Sequence, residues 1–168
     1  MGKVFLLKNL TFTKQNQFRM PKIRVTKKFH FEMAHALYEY DGICRNIHGH
    51  TYNLEVTLIG ITMEERGHPK DGMVIDFSQL KKVVTESIIS VFDHALVVNS
   101  HFPKDNLAAF KKTTERLIIV DFQPTTENLI VHFAHILQQA FSSNVKLFSM
   151  RLYETQNSFA EWFASDNS

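Results

Sequence analysis

An α+β domain is what this sequence predicts, on three observations. Apolar and polar residues alternate with period two over 25–35 and again over 48–58, as half-buried strands do. Apolar residues recur at helical spacing over 80–92 and 129–140, and a third alternating stretch, 145–155, closes the pattern. Strands first, helices next and a strand last is an α+β order.

The first strand puts Val25, Lys27, Phe29, Phe31, Met33 and His35 on one face and Thr26, Lys28, His30, Glu32 and Ala34 on the other, so His35 ends the more apolar face. Tyr38 to Ile43, with Asp41-Gly42 as a turn signal, delivers the chain to Cys44. The second strand lines up His48, His50, Tyr52, Leu54, Val56 and Leu58, so its two imidazoles also sit at one end of an apolar face. Paired as an antiparallel hairpin, the two strands bring His35 beside His48 and His50. Residues 60–72, rich in charge and turn formers, read as a surface connection.

A helix then begins at Asp76, a capping residue with Gln79 three positions on and Ile75 placed to staple against Leu80. Its stripe is Leu80, Val83, Val84, Ile88, Val91 and Phe92, and it ends near Asp93-His94. Residues 100–116 are polar and lysine-rich around Pro103, a long loop or a short helical excursion. Leu117–Val120 is a brief apolar run, either strand or loop anchor. The second helix is capped at Thr125 or Thr126 and carries Leu129, His132, Phe133, Ile136, Leu137 and Ala140 as its stripe. In 145–155, Lys146, Phe148, Met150, Leu152 and Glu154 share a face, and 160–163 adds a last strand. The expected domain is therefore 25–163, with 1–24 an arm or extra edge strand and 164–168 a polar tail.

Composition narrows the function. With 168 residues, 44% of them hydrophobic, the chain is long enough for one domain with a sizeable core. Nineteen basic and seventeen acidic residues leave a formal charge of +2, too balanced and too scattered for a nucleic-acid or membrane-surface protein. A single cysteine forms no internal disulfide, and no apolar run is long enough for a membrane span or a secretory leader, so a cytoplasmic protein with a reduced Cys44 is expected.

The chemistry-bearing residues each have a bland reading. Three imidazoles converging at a hairpin end suit a zinc ion with an open position, whereas isolated strand histidines are usually only hydrogen-bonded. Cys44 is an inert thiol, a fourth ligand closing a structural zinc site, or a reactive thiolate beside the metal, and the last is the preferred reading because a nearby cation lowers a thiol pKa. Asp93-His94 is either a helix terminus carrying its favoured cation or a carboxylate-oriented proton relay. Glu154 follows mostly apolar inward positions, so it is either an ion-pair partner or an acceptor of paired hydrogen bonds from an amino-substituted heterocycle.

The ordered motifs Phe31-Glu32-Met33-Ala34-His35, Cys44-x-x-x-His48-Gly49-His50, Met73-Val74-Ile75-Asp76-Phe77, Phe92-Asp93-His94, Pro124-Thr125-Thr126-Glu127-Asn128-Leu129 and Tyr153-Glu154-Thr155 resemble the 6-pyruvoyl-tetrahydropterin synthase family. The short gap between Cys44 and His48 is similar to its bacterial branch, the 6-carboxy-tetrahydropterin synthases of the queuosine route. The resemblance implies the tunnelling fold, an antiparallel sheet with two helices packed on one face in the order ββααββ. It implies zinc on His35, His48 and His50, Cys44 as proton acceptor, Asp93 and His94 as relay, Glu154 as pterin anchor and relay member, and Thr125 or Thr126 beside the ring. The implied substrate is 7,8-dihydroneopterin triphosphate. The implied reaction is a lyase reaction giving 6-carboxy-tetrahydropterin, triphosphate and acetaldehyde, with the 6-pyruvoyl product as alternative. A homo-oligomer, commonly a hexamer, with sites at subunit interfaces is also implied. The rival from another class is a non-catalytic zinc protein in which Cys44 closes the site. The arm and the 100–116 stretch exceed the compact bacterial pattern.

Overall fold

The computed structural model describes residues 20–141 and 144–167. Of the arm expected at 1–24, residues 1–19 lie outside the described residues, and β1 begins at Lys22. One six-stranded sheet, in the order β4-β3-β1-β2-β5-β6, forms the backbone of the molecule. Its centre is the expected hairpin of β1 (Lys22–Ala36) and β2 (His48–Ile61), antiparallel with His35 opposite His48 and Met33 opposite His50. β5 (Val145–Tyr153) and β6 (Phe159–Phe163) continue antiparallel from β2.

The other edge corrects the expectation of a wholly antiparallel sheet with two helices. After Asp93-His94 the chain enters β3 (Ala95–Asn99), parallel to the end of β1, and then crosses through α3 (Lys104–Thr113) to β4 (Leu117–Val120), parallel to β3. Parallel neighbours need a crossover connection, which is why the polar 100–116 stretch holds a helix. All five residues of β3 are buried, so it carries no alternation that would mark it as a strand in sequence.

The inward face is built by the alternating residues. Phe29, Phe31 and Met33 of β1, Tyr52, Leu54, Val56 and Leu58 of β2, and Met150 and Leu152 of β5 are buried together. α1 (Phe77–Val84) and α4 (Thr126–Ala140) cover them with Leu80, Val84, Leu129, Phe133 and Leu137. Asp76 caps α1 by accepting the Ser78 N–H at 2.7 Å. Beyond α1 the chain widens into a π-helical stretch (Thr85–Ile89) before a last turn, α2 (Ser90–Phe92). The buried residues here are Leu80, Val84, Ile88 and Phe92, spaced by four. A strict 3.6-residue helix would rotate such a row off the sheet, and the wider turn keeps it facing inward.

Two expected stripes shift. Val91 is 45% exposed, and α4 buries Ile130 and Ala134 where His132 and Ile136 were expected. A register shift opposite Thr57 and Leu58 turns Leu147 into the core in place of Phe148, which packs on the Arg24 guanidinium instead.

A candidate metal centre at the hairpin end

The inward row that supplies the core ends in imidazoles. His35 is 1% exposed, and His48 and His50 are half-buried beside it. One ring nitrogen from each lies within 4.8 Å of the other two. Carbonyl oxygens fix two of the rings: His35 Nδ1–H donates to Pro124 O at 2.7 Å, and His48 Nδ1–H donates to Asn46 O at 2.8 Å. A carbonyl can only accept, so both Nδ1 atoms carry protons and the neutral rings present Nε2 lone pairs. Those two Nε2 atoms face each other at 3.1 Å. His50 Nε2 is buried with no hydrogen-bond partner. Burial, above all, pushes the His35 imidazole below its usual pKa, so a proton between the rings is disfavoured. Two facing lone pairs beside a third, unpartnered ring nitrogen are what a bound cation resolves, and the three-imidazole donor set fits a first-row metal ion.

Around this cluster lies a second ring of polar groups. Glu154 Oε1 is 3.6 Å from both His35 Nε2 and His50 Nε2. Tyr52, the next inward residue after His50, stacks on Phe31 with 5.3 Å between ring centroids, and its hydroxyl is buried without a partner. Burial, with the Glu154 carboxylate close by, pushes the phenol far above its usual pKa, so it is a permanent donor. Thr126 Oγ1 is likewise buried and unpartnered, whereas Thr125 caps α4 by accepting the Asn128 N–H. Unsatisfied buried polar groups are costly, and their concentration beside Glu154 marks a place where a polar ligand would complete them.

Cys44 lies in a 3-10 turn (Ile43–Arg45) between the two hairpin strands, half-buried, and its carbonyl accepts the Leu37 N–H at 3.0 Å. Asp93 and His94 are not part of the cluster. His94 Nδ1 is 3.0 Å from Asp93 Oδ2, Asp93 Oδ1 accepts the Glu32 N–H at 3.0 Å, and the His94 imidazole is 72% exposed. The Glu32 N–H, more than His94, holds the Asp93 carboxyl below its usual pKa. His94 has a φ of 59°, a left-handed conformation uncommon outside glycine, and its N–H donates to Glu32 O. The pair borders a groove of about 540 Å³ lined by Glu32, Ala34, Gly49 and Thr51, positions that alternate with the metal-site row, and also by Met33 and His50 of that row. His94 follows the Glu32 side of the sheet, since its N–H donates to Glu32 O, and the groove meets the metal-site row only at Met33 and His50.

The family model described as 6-pyruvoyl tetrahydropterin synthase matches residues 24–164. This chain belongs to that family. Among relatives, the 6-carboxy-5,6,7,8-tetrahydropterin synthase of Haemophilus influenzae is 34% identical over 141 residues, covering 83% of this chain and 97% of its own. The enzyme of the same name from Rickettsia conorii is 30% identical, covering 83% and 99%. Among solved structures, Caenorhabditis elegans 6-pyruvoyl tetrahydropterin synthase aligns with a TM-score of 0.61 at 26% identity, over 88% of this chain and 99% of that one. An uncharacterised protein of Wolinella succinogenes aligns at 0.69 and 21%, over 86% and 99%. These neighbours establish the tunnelling fold for this chain, with a mixed sheet.

Sequence reasoning did not single out Tyr52 or the carbonyls of Asn46 and Pro124 as parts of this site. Tyr52 had a signal, being the inward position next to His50. A carbonyl has none, because its role depends only on where the backbone passes.

Proposed function

We propose that this protein is a zinc-dependent 6-carboxy-5,6,7,8-tetrahydropterin synthase acting on 7,8-dihydroneopterin triphosphate, with catalytic unit 25–163. The observation that carries the reading is the convergence of ring nitrogens from His35, His48 and His50 beside the unpartnered hydroxyls of Tyr52 and Thr126 and the Glu154 carboxylate. The synthase names of the bacterial relatives favour the 6-carboxy over the 6-pyruvoyl product. Zinc on the three imidazoles would supply positive charge that makes the substrate's side-chain hydroxyls more acidic. Cys44, on its turn between the strands, would take a proton from that side chain. The Glu154 carboxylate would accept paired hydrogen bonds from the aminopyrimidine ring, with Thr126 and Thr125 at the ring edge. Asp93 would hold the His94 imidazole in one tautomer while His94 moves protons.

His94 stands outside the three-histidine cluster, so this reading calls on a second copy. β3 pairs with β1 only at Met33–Ala36, so among the described residues β1 positions 22–31 have no strand partner on that side, an edge suited to joining copies into a ring. A homo-oligomer, a hexamer in this proposal, would then bring His94 of one subunit to the zinc of another. No helix among the described residues is long and apolar enough to cross a membrane. A cytoplasmic location belongs to the same proposal.

The test is incubation of zinc-loaded protein with 7,8-dihydroneopterin triphosphate and mass spectrometry of the pterin. A 6-carboxy product with acetaldehyde is expected. A 6-pyruvoyl product moves the chain to the sister activity, and no conversion despite bound zinc overturns the substrate.

A further inference from the structure

The β1–β2 connection that carries Cys44 is held at both backbone groups of Tyr38 by one side chain, that of Gln123. The Tyr38 N–H donates to Gln123 Oε1 at 3.1 Å, and Gln123 Nε2 donates to Tyr38 O at 2.6 Å. An amide that engages both backbone groups of a residue acts as a short piece of strand, fixing position and orientation together. Tyr38 follows Leu37, whose N–H closes the loop onto Cys44 O. Gln123 is held in turn, because its carbonyl accepts from Asn128 Nδ2 at 2.9 Å and from the Thr125 N–H at 2.8 Å. The next residue, Pro124, supplies the carbonyl that orients His35, and two positions further stands Thr126. The crossover segment braces the same loop from outside: the Phe102 ring lies 4.9 Å from that of Tyr38 and packs on Phe110 of α3 at 5.6 Å.

We infer that Gln123 is a positioning residue for the thiol, setting the Cys44 loop against His35 and the start of α4 through its paired hydrogen bonds to Tyr38. The inference rests on the reading of this site as a metal-and-thiol centre. It assigns to Gln123 no contact with substrate. Removing the clamp frees the loop while His35 keeps its bond to Pro124, so thiol placement and metal binding separate.

The experiment compares full-length Gln123→Ala and Gln123→Glu with the parent and with Asp71→Ala. Asp71 accepts the Glu65 N–H at 3.0 Å in another loop, so its loss controls for a generic loop weakening. Iodoacetamide alkylation of Cys44 in zinc-free protein, zinc content, kcat and KM are measured. For Gln123→Ala, alkylation about tenfold faster is expected, the change that two lost ordinary hydrogen bonds allow in loop opening. Zinc content is expected to be unchanged, with kcat lower by about 10²-fold and KM nearly constant. Gln123→Glu keeps the acceptor for the Tyr38 N–H, loses the donor, and is expected to fall between. If Gln123→Ala does not fold, Gln123→Glu carries the test alone. Alkylation unchanged from the parent, or changed no more than in Asp71→Ala, overturns the inference. Alkylation is read without turnover, so failure of the assigned substrate leaves this outcome intact.

Discussion

Two histidine-bearing groups share the same end of the sheet and differ in almost every physical respect. His35, His48 and His50 sit on the inward row of the hairpin, the first two bonded to carbonyls and all three with a ring nitrogen within 4.8 Å of the others. Asp93-His94 stands outside that row, hydrogen-bonded to Glu32, with its imidazole mostly in solvent. The first group is a finished ligand set within a single chain. The second is an oriented pair on an open groove. The difference teaches that a single chain gathers a candidate ligand set by itself, whereas the proposed relay is the part of the reading that calls on a neighbour.

The largest effect is expected from the finished group. His48→Ala removes one of three ligands, so zinc content should fall from about one per chain to near zero and turnover should vanish with it. Metal analysis of the purified variant checks this, and full zinc retention would break the first half of the comparison. Cys44→Ala should keep zinc and lose about 10²- to 10⁴-fold in kcat. Loss of zinc in that variant would instead favour the structural protein in which Cys44 closes the site.

The comparison itself is sharpened by mixing subunits. Cys44→Ala and His94→Ala, each inactive alone, should regain up to about a quarter of parental activity when dissociated and reassembled one to one, because random assembly pairs two intact partners in that fraction of sites. A relay acting within its own chain gives no recovery. The smallest effect is expected from Asp93→Asn. The amide still accepts the Glu32 N–H but lacks the charge, so stability near neutral pH should fall slightly while kcat drops about tenfold. Asp93 has a folded pKa below its usual 3.8, so its charge contributes stability above that value, lost as pH falls through the folded pKa. Acid unfolding curves of the parent and Asp93→Asn should therefore converge at the lowest pH.

Much of the candidate site was legible in the sequence because hairpin pairing is local. Period-two alternation puts His35, His48 and His50 on one face, and antiparallel pairing makes the end of one strand meet the start of the next. Glu154 was legible for the same reason, since β5 adds to β2 in a register that carries its inward row to the same end. β3 and the mixed sheet were not. A strand buried on both faces loses its alternation, and a parallel neighbour is chosen by the crossover rather than by adjacent residues.

Sequence alone thus determined the hairpin, the cap at Asp76, a second cap at Thr125 or Thr126, the two covering helices and the convergence of the three imidazoles, because each depends on residues close in the chain or on a fixed period. Only the tertiary structure decided which carbonyls set the His35 and His48 tautomers, that Gln123 holds the Tyr38 backbone across 85 positions, and that Asp93-His94 stands outside the three-histidine cluster. Those features depend on where distant backbone segments pass one another, and no local pattern of residues encodes that distance.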